Sequence, residues 1–211
     1  MKYLLCRCVI FVALISSGPS LAADQPDDCV VRLGELGDGR VVVIPRKPTG
    51  GHGVALHACA IVDAPPSQVW PVVRECEKWD QFMPGVDSSK VRSRTGNAVV
   101  CDILIDVPFP LSNLRSVSNI VEIERPDGSF LRRSIFLEGD YSHNNGYWVL
   151  MPHDNASKTL VAYDIDFNPD TMVPDFVLRQ VQSATAPELI EAIRERVKEC
   201  TASEVACAEV K

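Results

Sequence analysis

The patterns missing from this chain narrow what it does. It has no Cys-x-x-Cys pair, and its histidines are read as separate from its cysteines, so no metal site and no cofactor are expected. Positive charge is scarce as well. The formal charge is -7, and it becomes -9 once Lys2 and Arg7 leave with the N-terminal segment. A phosphate backbone then has little electrostatic hold, and nucleic acid is excluded as a partner. The same balance rules out adhesion to anionic lipid by charge alone. Beyond the first stretch, no apolar run is long enough to span a bilayer. Internal repeats and low-complexity tracts are missing, and the length suits one domain.

What is present begins with a leader-like stretch. MKYLLCRCVIFVALISSGPSLAA carries Lys2, an apolar run through Ile15 and small residues before a cut after Ala22. It reads as a secretory signal over 1–22 and predicts an exported protein, periplasmic or secreted. Cys6 and Cys8 leave with it. Cys29, Cys59, Cys76, Cys101, Cys200 and Cys207 remain, an even set in an oxidising compartment, so disulfides are expected while the pairing stays open. Cys200 with Cys207 is the easiest local pair. Cys76 continues the helical stripe of Val69, Val72 and Val73, and Cys101 shares a strand face with Val99 and Ile103. Both should point inward, which makes them the second candidate pair.

The longest helical pattern runs over 174–199. Val177, Val181, Ala184, Leu189, Ile190, Ile193 and Val197 recur at three- and four-residue steps, so one face needs a core, and Pro187 should bend the helix. Before it, 23–53 reads as an arm or hairpin and 54–62 as a strand with Ala55, His57, Cys59 and Ile61 on one face. Two short helical pieces follow, the second carrying Trp79, Phe82 and Met83. Strand-like runs then succeed one another at 88–94, 97–107, 114–124, 129–138, 146–151 and 158–168, an antiparallel meander. Asp164 and Asp166 alternate with Tyr163, Ile165 and Phe167, which places both carboxylates on the solvent face. The expected fold is α+β, a curved antiparallel sheet gripping a long C-terminal helix.

At this point a family resemblance emerges. IVDAPPSQVWPVVRECEKWDQFMPGV resembles the opening of the START-like superfamily, also called SRPBCC or the polyketide cyclase and coenzyme Q-binding group. LSNLRSV is similar to an arginine-containing strand start of that group, NNGYWVLMP to its Gly-aromatic-Trp strand, and VPDFVLRQVQSATAPELIEAIRERV to its closing helix. The resemblance covers roughly 55–198, in order, and implies a helix-grip domain over 54–199 followed by a tail over 200–211. Family members often carry an acidic residue after the arginine, whereas Ser116 follows Arg115 here.

The resemblance further implies a tunnel between sheet and helix for a lipid, sterol or quinone. Pockets of that kind are lined by apolar and aromatic groups with few polar anchors. Ile103, Ile105, Phe136, Tyr147, Tyr163, Phe176, Val177 and Val181 can supply such a lining, and Arg115 is added on the resemblance. Trp79, Phe82 and Met83 are expected on an exposed mouth loop, for ligand entry or transient membrane contact. His143 and His153 flank the GYW strand, but no nucleophile, orienting partner and oxyanion donors stand at a usable spacing, so no catalytic residue is assigned. Binding or transfer of a hydrophobic small molecule leads. A cyclase or aromatase acting on a polyketide-like substrate, and an interaction domain without ligand, are the alternatives.

Overall fold

Alternating apolar and polar residues need a partner on each side, and here they find it in neighbouring strands. The structure, a computed structural model, describes residues 27–107, 112–170 and 175–202; the side chains of 38, 175–177 and 179–183 lie outside that description. A one-turn helix α1 (Asp27–Val31) leads through 3-10 turns to β1 (Val42–Arg46) and β2 (Val54–Val62). Helix α2 (Pro66–Arg74) follows, with prolines around its first turn where a missing N–H costs nothing. A 3-10 segment (Cys76–Gln81) then leads into β3 (Val86–Thr95), β4 (Ala98–Ile105), β5 (Leu114–Glu124), β6 (Phe130–Gly139), β7 (Tyr141–His153) and β8 (Lys158–Pro169). Helix α3 (Asp175–Ala202) ends the described chain, with Pro187 inside its span.

The strands form one antiparallel sheet in the order β1-β2-β8-β7-β6-β5-β4-β3. The meander β3 to β8 thus closes back onto β2, and β1 becomes the edge beside it. The sheet is curved, with bulges between Val117 and Ser118 and between Tyr141 and His143. Gly139 lies at one of these bends with φ 137, and a Cβ there would collide with the Arg115 carbonyl oxygen, so only glycine lets the two backbones approach.

The inner face of the sheet meets α2 and the C-terminal half of α3. Leu56, Ala58, Ala60 and Val62 of β2, Trp148 and Leu150 of β7 and Val161 and Tyr163 of β8 pack there. They meet Val69 and Val73 of α2 and Ala186, Ile190, Ile193 and Val197 of α3. Each large aliphatic side chain fully buried in that layer contributes about 1.5–3 kcal/mol relative to exposure. The outer face is covered in part by the N-terminal arm, where Cys29 and Leu36 pack on Cys59, Leu131, Val149, Leu160 and Ala162.

Covalent ties follow the same layers. Cys29 is joined to Cys59 across the outer face, and Cys76 to Cys101 across the inner face. Cys200 is also disulfide-bonded; Cys207 lies outside the described residues. No helix among the described residues is long and apolar enough to cross a membrane.

Candidate ligand-binding site

The inner face has two parts that differ in chemistry. Under the C-terminal half of α3 it is a filled apolar core. Toward the other end it carries half-buried Ile103, Ile105, Phe136, Ile165 and Phe167 with the polar line Ser116, Ser118 and Asn144. Asn144 Nδ2 donates to Ser116 Oγ at 3.1 Å, and Ser116 Oγ lies 3.4 Å from Ser118 Oγ. Tyr141 meets Phe136 and Phe167 edge to face, with ring centroids about 6 Å apart. Strand parity explains the set, because residues two apart on each strand share a face and the register aligns Ile103 with Ser116 and Ser118 with Phe136.

Between the two parts lies a buried charge. Arg132 of β6 is 2 % exposed and stands opposite Glu122 of β5 on one side and Trp148 of β7 on the other. Its guanidinium lies 4.5 Å from the ring centroid of Trp79, a cation–π contact, and Nη2 reaches Cys101 Sγ at 3.8 Å. Burial brings the Arg132 guanidinium down to about 10, against the opposing pull of Glu122. Glu122 is buried too, and its Oε2 accepts from Arg94 at 3.2 Å and pairs with Arg74 at 3.3 Å. Arg132 Nε, Glu122 Oε1 and the indole N–H groups of Trp70 and Trp79 are buried and have no hydrogen-bond partner among the described residues. Native proteins leave few such groups unpaired, and each costs about 1–3 kcal/mol. A cleft of about 410 Å³ lined by Trp70, Arg74, Asn97 and Glu124 reaches Glu122.

Several expected site residues lie elsewhere. Tyr147 faces outward and packs with the cluster under the N-terminal arm, because its neighbour Trp148 takes the inner side. Its phenol is pushed up to about 12 by burial and then by Asp164. Arg115 is also on the outer face, where Nε donates to Asp102 at 3.0 Å and Nη2 lies 3.6 Å from Glu138; it is a member of a surface ion-pair group with Arg92. Met83 is 5 % exposed and belongs to the core instead of an exposed loop, and Trp79 and Phe82 are half-buried and pack against that core. Arg196 of α3 sits 5.7 Å from the Phe82 ring centroid. Asp164 is buried rather than solvated, paired with Arg46 and beside His57. His143 Nε2 is spent on Asp166 Oδ1 at 3.0 Å. Ile103, Ile105, Phe136 and Tyr163 share the inner face. The side chains of Phe176, Val177 and Val181 lie outside the described residues.

Arg132 and Glu122 were missed from the sequence. The signal was there in principle: each shares strand parity with inward residues, Phe130 and Ser134 for Arg132, Ile120 for Glu122.

A sheet gripping a C-terminal helix, with a buried charge in its inner face, can now be set beside known proteins. The profile of the family described as polyketide cyclase / dehydrase and lipid transport matches residues 62–194. The chain belongs to this family. Solved structures agree on its START-like, helix-grip fold. A STAR-related lipid transfer protein from Xanthomonas axonopodis superposes with TM-score 0.67 at 20% identity, over 77% of this chain and 95% of that one. Human StAR-related lipid transfer protein 5 gives 0.69 at 16% identity, over 78% and 85%. An aromatase/cyclase from a Streptomyces species gives 0.56 at 12% identity, over 79% and 99%. At these identities the likeness is one of fold. Among curated proteins no sequence matches.

Proposed function

We propose that this START-like domain binds an amphipathic small molecule, an apolar body ending in one hydroxyl or protonated carboxyl group, on the inner face of the sheet beneath α3. The carrying observation is that Arg132 Nε and Glu122 Oε1, on cross-strand neighbours, are a buried donor and a buried acceptor that both lack partners among the described residues. A hydroxyl accepts from the first and donates to the second, so one ligand atom completes both. A quinone carbonyl, which only accepts, would satisfy Arg132 alone. Sterols and fatty acids therefore fit this site better than quinones. The half-buried Ile103, Ile105, Phe136 and Phe167 then receive the apolar body.

Two of the similar structures are StAR-related lipid transfer proteins, which supports binding and transfer of the ligand over chemistry upon it. The Cys29–Cys59 and Cys76–Cys101 bonds support export of the mature chain. The test is displacement of a fluorescent sterol or fatty-acid probe by a long-chain alcohol and acid and by their methyl ether and ester. The free hydroxyl and carboxyl compounds should compete at least roughly tenfold better, the difference one lost buried hydrogen bond makes. Equal competition would remove the anchor from the reading, and no probe binding at all would remove the ligand.

A further inference from the structure

On the opposite face of the sheet, the Cys29–Cys59 disulfide is flanked by an imidazole and a carboxylate. His57 Nε2 lies 3.1 Å from Cys29 Sγ, and His57 Nδ1 lies 3.4 Å from Asp164 Oδ2, the oxygen that also pairs with Arg46. The register produces this chain of groups. His57 on β2 stands opposite Asp164 on β8 and Ile44 on β1, and Cys59 is two residues further along the same face. Both cysteines are fully buried, and His57 and Asp164 nearly so. Tyr147 of β7 completes the surroundings with its ring centroid 6.1 Å from that of His57, and Asp28 and Arg133 act on its phenol from further out. None of these groups takes part in the ligand site.

A structural disulfide needs only apolar neighbours, and burying an imidazole and a carboxylate beside it is costly unless they serve each other and the sulfur. Carboxylate, imidazole and sulfur in line form the arrangement that activates a thiol. We propose that Cys29–Cys59 is an exchange-active disulfide, with Cys29 as the thiol that leaves and re-attacks, His57 as its proton partner and Asp164 as the positioning residue. The reductant is an external dithiol. One of its thiolates attacks Cys59 Sγ, the Cys29–Cys59 bond breaks, and its electron pair goes to Cys29, which His57 protonates or holds as an ion pair. The second external thiolate attacks the external sulfur of the mixed disulfide and releases Cys59. Two electrons and two protons pass to the pair, and the external dithiol becomes a disulfide. In the reverse direction His57 Nε2 takes the proton from Cys29. Cys29 sits in α1, a single turn whose Val30 and Val31 are exposed, so local opening of the arm around that turn brings the buried bond toward solvent.

Cys76–Cys101 is the internal reference. The sequence separations are 30 and 25 residues, so chain entropy weighs nearly equally on the two bonds, and what differs is the chemistry beside them. Arg132 touches Cys101 but cannot shuttle a proton.

The experiment equilibrates the folded chain in dithiothreitol buffers, traps thiols with two mass-distinguishable alkylating reagents, and reads each cysteine by peptide mass spectrometry. Cys29–Cys59 should be half reduced at a dithiol to disulfide ratio at least roughly tenfold lower than Cys76–Cys101, because a stabilised thiolate favours the reduced form. In the reduced chain the alkylation rate of Cys29 should stay within about threefold between roughly pH 8 and pH 6, whereas an unassisted thiol slows about tenfold per unit. His57→Gln should abolish both differences, and Asp164→Asn should reduce them. Equal midpoints for the two bonds, or a Cys29 rate that already falls like an ordinary thiol in the unmodified chain, would overturn the proposal whether or not the variants fold.

Discussion

Arg132 lies against the face of Trp79, 4.5 Å from the ring centroid, while its cross-strand neighbour Glu122 is held by Arg74 and Arg94 instead. The buried guanidinium is therefore compensated by an aromatic face and by proximity to a carboxylate, with no direct hydrogen bond between Nε and Oε1. Such an arrangement adds little to stability, since replacing a whole buried ion pair by apolar side chains of similar volume is often neutral or favourable, and here the carboxylate has other cations beside it.

That trade gives the first expectation. Arg132→Met should leave unfolding free energy in urea unchanged or raise it by about 1–3 kcal/mol, because Glu122 keeps its two other arginines. Binding of the sterol or fatty-acid probe should fall by roughly tenfold or more, the worth of a hydrogen bond to a charged group. A loss of stability above about 2 kcal/mol would make Arg132 a structural residue instead.

The segment after α2 separates core from surface. Met83 is buried among Val69, Val73 and the α3 stripe, so Met83→Ala should cost about 2–5 kcal/mol in urea unfolding. Phe82 is half-buried beneath Arg196, and Phe82→Ala should cost less, about 1–2 kcal/mol. The reverse order of costs would place Phe82 in the core and Met83 at an entrance.

Much of this fold could be read from alternation. The six meander strands, the inward cysteines of α2's continuation and β4, and the C-terminal part of the α3 stripe, Ile190, Ile193 and Val197, lie where one apolar face opposes one polar face, and there period alone decides direction; Ala184 of the same stripe is exposed. Tyr147, Asp164 and Arg132 escaped for a shared reason. The N-terminal arm covers the outer face of β2, β8 and β7 and of β6 at Leu131, so both faces of those strands are buried there and parity no longer distinguishes core from solvent. Tyr147-Trp148 and Arg132-Arg133 are adjacent pairs in which one member must point each way, and only the cross-strand register says which. His57 and Cys29 are distant in sequence and meet only because the arm folds back.

The inner-face disulfide should carry a measurable share of stability. Cys76 and Cys101 are 25 residues apart in sequence, and a loop of that size is worth about 3.5 kcal/mol of unfolded-state entropy. The double variant Cys76→Ala with Cys101→Ala should therefore lower unfolding free energy by about 2–4 kcal/mol under non-reducing conditions. Stability within about 0.5 kcal/mol of the parent would mean that the bond constrains nothing that the strands do not already fix.

The last expectation concerns pH. Asp166 on β8 accepts from the Thr49 backbone N–H at 3.3 Å, from Thr49 Oγ1 and from His143 Nε2 at 3.0 Å. Partial burial works to raise its carboxyl, but the hydrogen bonds from Thr49 and His143 outweigh burial and hold it below the ordinary carboxylate range. The folded state therefore prefers the ionised form more than the unfolded state does. That preference adds stability in full above the unfolded value, near pH 4, and it is lost as pH falls through the lower folded value. Asp166→Asn mimics the protonated group at every pH. The gap in unfolding free energy between parent and variant should be about 1 kcal/mol near pH 6, modest because the site is partly solvated, and should shrink as pH falls below the unfolded value. Urea titrations from roughly pH 7 to pH 3 measure it. A gap that stays constant across that range would show that Asp166 acts through shape and not through charge.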